Sequence, residues 1–476
     1  MNVYMRMVIP AREYFAKMLL GVIATSRGHE TLLGELPKIS RGFPPGIYHT
    51  NDLGFRKAPQ LSKITRAGFV ITAQDEEHGL TEESLDFTIA TRFHESTLEH
   101  VSASFSWGPW DYAGLRERFP SSAAIFHMTG SPRVDLWRRD VAVSRFVDRR
   151  AERLRADGRA TVLVISNFGP QPTPWWIAAG HSRGAELGLD VDGRLEHMEL
   201  LAGYQRTAIV FVRAIHALSE HLPDARIVVR PHPTEAWGAL AELIGPLPNV
   251  LVTREGTTTD WLRAADVMIH SGSTTAFEAV IGGAKAIAYT PDGLNTEFVT
   301  NRFALQAQSL AELLEVTRSV IGGDGEAQKV LDARTETAQD LIDGRLFLPQ
   351  PAMSASLIVD HWEELAQKNG LPAAGLQQAA RRARMGRSLR VRPRTGGTST
   401  HTPDGRATDS RGGEVARVSR DETVRFPALR AEEVVADAAA MAEALDLRPI
   451  DCRLLSERLI LLAPRASGRA RSGAPT

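Results

Sequence analysis

One cysteine, Cys452, is all the thiol chemistry that 476 residues hold. A lone cysteine excludes an intrachain disulfide framework and any cysteine-cluster metal site. Long apolar runs are missing too: no stretch reaches the roughly 18 residues that a membrane-spanning helix requires. Nor does charge of one sign dominate, since 56 Lys and Arg stand against 57 Asp and Glu, a formal net charge of −1. That balance gives no support to a nucleic-acid partner, which calls for a strongly basic domain or face. Absent motifs narrow the chemistry further. Without a GxxxxGK[ST] loop or a GxGxxG fingerprint, the ATPase and Rossmann-dehydrogenase readings lose their main support. The 14 histidines include no HExxH pair.

What is there is 43% hydrophobic residues, ample for real cores in a chain long enough for two or three domains. Residues 1–9 soon meet Arg12, Glu13 and Lys17, so the start reads as a first strand rather than a signal peptide. Cysteine scarcity fits a reducing cytoplasm, and a cytoplasmic location is expected.

Strand and helix signals alternate. Residues 3–9 read as a strand, 11–27 as a helix through Tyr14, Met18, Leu19, Val22 and Ile23, and 29–33 as the next strand after the stop at Gly28. A βαβ start implies a right-handed crossover and a parallel sheet. Short apolar runs at 46–48, 68–72 and 123–126 continue the series. A charged helix around 141–157 leads to a second α/β series: a strand at 160–165, a long helix at 195–222, and strands at 226–229, 249–253, 266–270 and 284–289. Helices follow at 308–321 and 350–367. Beyond residue 367 a basic run, 381–394, enters a segment rich in Gly, Ser, Thr and Pro, which reads as a flexible linker. The basic run is a solvated tail in one reading and an anchor to an anionic inner-membrane surface in the other. A strand at 423–426, an Ala-rich helix at 430–446 and two apolar runs close the chain as a small βαββ module.

Chemistry concentrates in two segments of the second series. Arg230-Pro-His-Pro-Thr-Glu235 follows one strand, and Ser271-Gly-Ser-Thr-Thr-Ala-Phe-Glu278 follows another and opens into a helix. First-turn amides are unpaired and sit at the positive end of the helix dipole. Gly272 lets the backbone approach closely, and Ser271, Ser273 and Thr274 add hydroxyls, which together suit a phosphate. His232, flanked by Pro231 and Pro233, adds a donor at a neighbouring strand end. Strand ends of a parallel sheet share one carboxyl edge, where α/β ligands bind. Glu278 either reaches a ribose hydroxyl or serves the helix dipole, and Asn167 lies after another strand of the same edge. The bland alternative is an ordinary N-cap beside a loop histidine. In the first series the sharpest cluster is Asp75-Glu76-Glu77-His78-Gly79. Three neighbouring carboxylates repel, which raises one of them toward general-base range; the alternative is a polar loop. Asp190-Val-Asp192 reads as a loop rather than a cation site.

These segments, with Glu13 to Gly28, Phe43-Pro-Pro-Gly-Ile-Tyr48 and Gly130-Ser-Pro-Arg-Val-Asp135, resemble the bacterial surface carbohydrate biosynthesis proteins, GT-B-like glycosyltransferases. The likeness extends over most of residues 1–366. The His-Pro motif before a Ser/Thr-rich helix start is similar to that of sialyltransferases, capsule Kdo transferases and CDP-glycerol glycerophosphotransferases. The resemblance implies an α/β, GT-B-like fold, with two Rossmann-like domains facing a cleft and a small C-terminal α+β module after a flexible linker. Residues 1–150 are then an acceptor domain and 151–349 a donor-nucleotide domain. Residues 350–367 pack back on the first domain, 368–413 are the linker, 414–464 the module and 465–476 a disordered tail. The implied activity is transfer of a sugar from a nucleotide-sugar donor, CMP-linked and Kdo- or sialic-acid-like, to a surface polysaccharide or lipid-linked glycan. Neither a metal nor another cofactor is expected. Arg230, His232, Ser271, Gly272, Ser273, Thr274, Glu278 and Asn167 would bind the donor, and an acid among Asp75, Glu76 and Glu77 would be catalytic. A UDP-sugar 2-epimerase and a non-catalytic envelope-assembly protein are the rival readings.

Overall fold

The computed structural model describes every residue except 41, 78–79, 81–84, 156, 167–189, 233–234, 236, 295–297, 386–427 and 466–476. Its strands, in chain order, are β1 (Asn2–Arg6), β2 (Glu30–Gly34), β3 (Ile47–Thr50), β4 (Val70–Ala73), β5 (Ala103–Ser106), β6 (Phe126–Met128) and β7 (Thr161–Ile165). Then come β8 (Arg226–Arg230), β9 (Val250–Val252), β10 (Val267–His270), β11 (Ala286–Tyr289), β12 (Leu305–Ala307), β13 (Ile450–Ser456) and β14 (Leu459–Pro464). They form two sheets in two compact units. The first draws on Met1–Phe146, Asp343–Val391 and Thr423–Thr476, and the described residues of the second lie in Val147–Ile342.

The first unit is built on an eight-stranded sheet ordered β13-β14-β2-β1-β3-β4-β5-β6. Its strands from β2 to β6 are parallel, as a βαβ series demands. The strands from β1 to β5 are buried on both faces, as parallel strands covered by helices are. One face, with Tyr4, Leu32, Tyr48 and Ile71, joins a core that includes Leu61, Ile89, Leu115 and Leu376. The helices Pro10–Ser26, Ser354–Lys368 and Ala431–Ala444 bury Leu19, Trp362 and Met441. Ser354–Lys368 is fixed at its start by Asp135, whose carboxylate accepts the amides of Ser354 (3.0 Å) and Ala355 (2.8 Å). Trp362 Nε1 donates to Thr72 Oγ1 at 3.1 Å.

Two expectations about the C-terminal part are corrected. The apolar runs near the end do form a hairpin, but it is no separate module: β14 pairs antiparallel with β2, in register Leu459↔Gly34 to Leu462↔Thr31. Five consecutive apolar residues, 459–463, are buried there, and only a sheet edge supplies backbone partners as well as apolar cover. The flexible linker from 368 is likewise interrupted by a helix, Leu376–Met385. Leu376 is fully buried, Gly375 N donates to Asn2 Oδ1 at 2.8 Å and Gln377 N to Glu30 Oε2 at 2.9 Å. The strand expected at 423–426 and the basic run beyond 385 lie outside the described residues.

The second unit holds a six-stranded parallel sheet ordered β12-β11-β10-β7-β8-β9. Val162, Val164, Ile227, Val229, Val267 and Ile269 belong to the same core as Phe211, Ile215 and Leu218 of the helix Val191–His221. Asp190 caps that helix through Gly193 N at 2.9 Å, so the Asp-x-Asp pair is spent on a helix start. The topology reverses at one place. From β7 the chain goes outward through β8 and β9, then returns to lay β10 against the other side of β7. The gap between β7 and β10 is therefore the sheet's switch point.

Candidate functional site

Three neighbouring strands lead out at that switch point: β7 into Ser166, β10 into Ser271 and β8 into Pro231-His232. Ser166 is buried and donates its hydroxyl to Glu235 Oε2. The His232 amide donates to Ser166 Oγ at 2.9 Å and to Glu235 Oε2 at 3.1 Å. Arg254 donates to the carbonyls of His232 (3.2 Å) and Glu235 (2.6 Å). A buried carboxylate, a serine and an arginine thus fix the backbone that presents the His232 ring, which is half-buried.

Across the switch point, Ser271, Gly272 and Ser273 are buried and Thr274 is exposed. Gly272 takes φ +63°, and a Cβ there would lie 2.5 Å from the Phe298 ring. Left-handed backbone in a tight space requires glycine. The Gly272 amide donates to Asn301 Oδ1 at 2.8 Å, and Ser273 Oγ accepts from Thr275 N at 3.3 Å. The helix that follows, Thr275–Ile281, begins without a side-chain cap from Thr274.

Two of the residues expected to bind the donor make internal contacts. Arg230 NH1 donates to the carbonyls of Thr253 (3.1 Å) and Glu255 (2.6 Å), and NH2 to that of Gly256 (3.0 Å). A guanidinium has five donors in a planar fork, and here the fork closes the loop after β9; burial pulls its pKa down to about 10. Glu278 is buried and accepts the Thr259 hydroxyl, so it joins two helices. Asn167 lies outside the described residues.

The carboxyl edge of the first sheet carries a dense ion network. Glu13 accepts the amides of Val8 (3.1 Å) and Ile9 (2.9 Å) at the start of Pro10–Ser26. Lys17, one turn on and 1% exposed, reaches Glu13 at 2.7 Å and Glu76 at 2.9 Å. Burial pulls the Lys17 pKa down, and Glu76 and Glu13 more than offset that, leaving it above the ordinary lysine value. Glu76 is raised, first by burial and then by the charge of Glu13, against the pull of Lys17 and Arg133. One ammonium here serves two carboxylates. The neighbouring acids are held by arginines: Asp75 by Arg92 at 3.0 Å, and Glu77 by Arg92 at 2.9 Å and by Arg12. Arg133 donates to the Glu76 carbonyl and lies over the rings of Trp107 and Trp137. His78 and Gly79 lie outside the described residues.

Sequence reasoning missed Ser166, Glu235, Arg254 and Asn301, which act through loops that carry no periodic signal. Lys17 had a signal: a Glu and a Lys four apart in an otherwise apolar helix. Among the described residues no group of three His, Cys, Asp or Glu is placed to hold a metal, and no helix is long and apolar enough to cross a membrane.

No protein-family model matches the chain. No curated protein matches it either. Among solved structures it is similar to UDP-GlcNAc 2-epimerase from Neisseria meningitidis bound to UDP-GlcNAc, at 12% identity over 76% of this chain and 100% of that one, with a TM-score of 0.43. A variant of the wall teichoic acid polymerase TagF is similar at 10% identity over 77% and 89%, with a TM-score of 0.46. Anabaena HepE in complex with UDP and glucose is similar at 10% identity over 77% and 100%, with a TM-score of 0.36. At these scores the likeness assigns no residue a role, and the site stands on its own geometry.

Proposed function

We propose that the chain is a glycosyltransferase that takes a sugar from a nucleotide donor, CMP-linked and Kdo- or sialic-acid-like, to a surface polysaccharide or lipid-linked glycan. The observation that supports the reading most is the meeting of Ser166, His232 and Ser271 at the switch point of the second sheet, where α/β sheets bind their ligands. The donor's phosphate would lie against Ser271, Ser273 and Thr274 at the start of Thr275–Ile281, with the His232 ring as a further donor. As the glycosidic bond breaks, charge builds on the leaving phosphate, and preset hydroxyl and ring donors stabilise it without reorganisation. Of the three acids in the first unit, Glu76 is the candidate base for the acceptor's proton. Asp75 and Glu77 are held in arginine pairs, whereas Glu76 shares the Lys17 ammonium with Glu13, and burial raises its pKa above the ordinary carboxylate value.

A thermal-shift screen against CMP, CDP, UDP, GDP and ADP tests the donor site. A bound nucleotide stabilises by about 2.7 kcal/mol at roughly a hundred times its dissociation constant, and the cytidine nucleotides are expected to give the shift. His232→Ala should weaken CMP at least tenfold by calorimetry. Stabilisation by UDP alone, with epimerised sugar formed from UDP-GlcNAc, would replace the reading with an epimerase. No nucleotide binding at all would leave only a non-catalytic role.

A further inference from the structure

We infer that β13, the outer strand of the eight-stranded sheet, pairs antiparallel with β13 of a second copy of this chain about a twofold axis at Cys452. Among the described residues β13 has a neighbour on one side only, β14. Its outward backbone groups can be named. Glu35 N donates to the Arg458 carbonyl at 2.8 Å, and β14 continues from there in register Leu459↔Gly34, Ile460↔Leu33 and Leu462↔Thr31. Bonded and non-bonded pairs alternate along an antiparallel ladder. Arg458, Ile460 and Leu462 therefore turn their N–H and C=O toward β2, and Leu459, Leu461 and Ala463 turn theirs toward β13. The register of β13 sets Asp451 against Ala463 and Arg453 against Leu461. These two residues make the ladder bonds to β14, and Ile450, Cys452 and Leu454 present theirs outward.

An outer strand with such a row of donors and acceptors is a template for another strand. The sequence of this one is complementary to itself. Centred on Cys452, the pairing sets Cys452 against Cys452 of the second copy and Ile450 against Leu454, each a hydrogen-bonded pair. Asp451 then faces Arg453, acid against base, twice. A register shifted by two residues either way places Asp451 on Asp451 or Arg453 on Arg453, and like charges directly opposite are unfavourable. Only the Cys452 register satisfies all three outward residues and both charges. The thiol lies 3.7 Å from the Val434 carbonyl, which puts Ile450, Cys452 and Leu454 on the side of the helix Ala431–Ala444. Asp451 and Arg453 stand on the opposite side, where Arg453 is 52% exposed and Asp451 33%. Arg465 also approaches Asp451, at 3.3 Å. Such an interface is isologous and closes at two copies.

The test uses the full chain and two charge variants, Asp451→Lys and Arg453→Glu, in analytical ultracentrifugation across micromolar concentrations. The unaltered chain is expected to be a dimer. Each variant alone sets like charges opposite and should dissociate at least tenfold more readily. Mixed in equal amounts they should recover the dimer, because the introduced lysine of one copy then meets the introduced glutamate of the other, while the retained Arg453 meets the retained Asp451. A monomeric unaltered chain, single variants that dimerise as it does, or a mixture that stays monomeric would each overturn the proposal. An edge strand already covered by the chain's own residues gives the first of these outcomes.

Discussion

His270 is fully buried at the carboxyl end of β10, and its Nε2 makes no hydrogen bond. A ring in that position is kept neutral: burial lowers its pKa from 6.5 to about 4. His49, buried under Trp362, is lowered further, to about 3, by burial and then by the nearby Lys17. The folded chain thus takes up these protons less readily than the unfolded chain. The stability that comes from neutral rings is complete above pH 6.5 and is lost as the pH falls toward 4. For His270 the loss at pH 4 is about 3 kcal/mol, at about 1.4 kcal/mol per pH unit. Unfolding free energies by denaturant at several pH values should show a shallower acid slope for His270→Asn than for the unaltered chain, by up to one proton. Parallel slopes would mean the ring is protonated in the fold. Lys17 shows the opposite arrangement, a buried charge kept because two carboxylates surround it. Removing Lys17 would be costly, since two neighbouring carboxylates would be left without their shared cation.

Whole elements depend on single residues of this kind. Gly34 takes φ +127° at the end of β2, and a Cβ there would lie 2.1 Å from the Arg458 carbonyl. The hairpin β13–β14 can join the sheet only because that side chain is missing. Gly34→Ala should destabilise the first unit by about 2 kcal/mol, within the range for strained backbone. The nucleotide binding proposed for the second unit should be unchanged. Equal denaturation midpoints would show that the hairpin tolerates the clash. That close approach was invisible in the sequence, where 450–463 reads as a hairpin with nothing to dock on. Local signals were legible: the helix Pro10–Ser26 and strands β7, β8 and β10 were expected within a few residues of their observed bounds. Elements with weak local signals were not. β5 is Ala-Ser-Phe-Ser and β12 only Leu-Gln-Ala, too polar or too short for their periodicity to stand out. The site divides the same way. The Pro-His-Pro and Ser-Gly-Ser segments announce strand ends. That Arg230 donates to three carbonyls depends on how the loop after β9 folds back.

At the scale of the whole molecule the two units are built from the chain in different ways. The described residues of the second all fall within one stretch, Val147–Ile342, whereas the first takes in three separated segments. The core of the second closes on itself through Phe211, Ile215, Leu218, Ile269 and Leu313. A core of this kind needs nothing further along the chain, and a segment of about 200 residues is within the ordinary domain size. A fragment spanning 147–342 should therefore unfold cooperatively and bind the proposed donor nucleotide within a few-fold of the full chain. A fragment spanning 1–342 keeps that unit but lacks Trp362, Leu376, Leu461 and Leu462, all buried in the first. Replacing a single large buried side chain by alanine costs about 2–5 kcal/mol, against a total stability of about 5–15 kcal/mol for a domain. Loss of four at once, together with the strand that covers β2, should leave the first unit unfolded. Calorimetry of the 1–342 fragment should then show one nucleotide-sensitive transition, where the full chain also shows the unfolding of its first unit. A folded first unit in that fragment would mean that the returning helices and the hairpin decorate a sheet already stable without them.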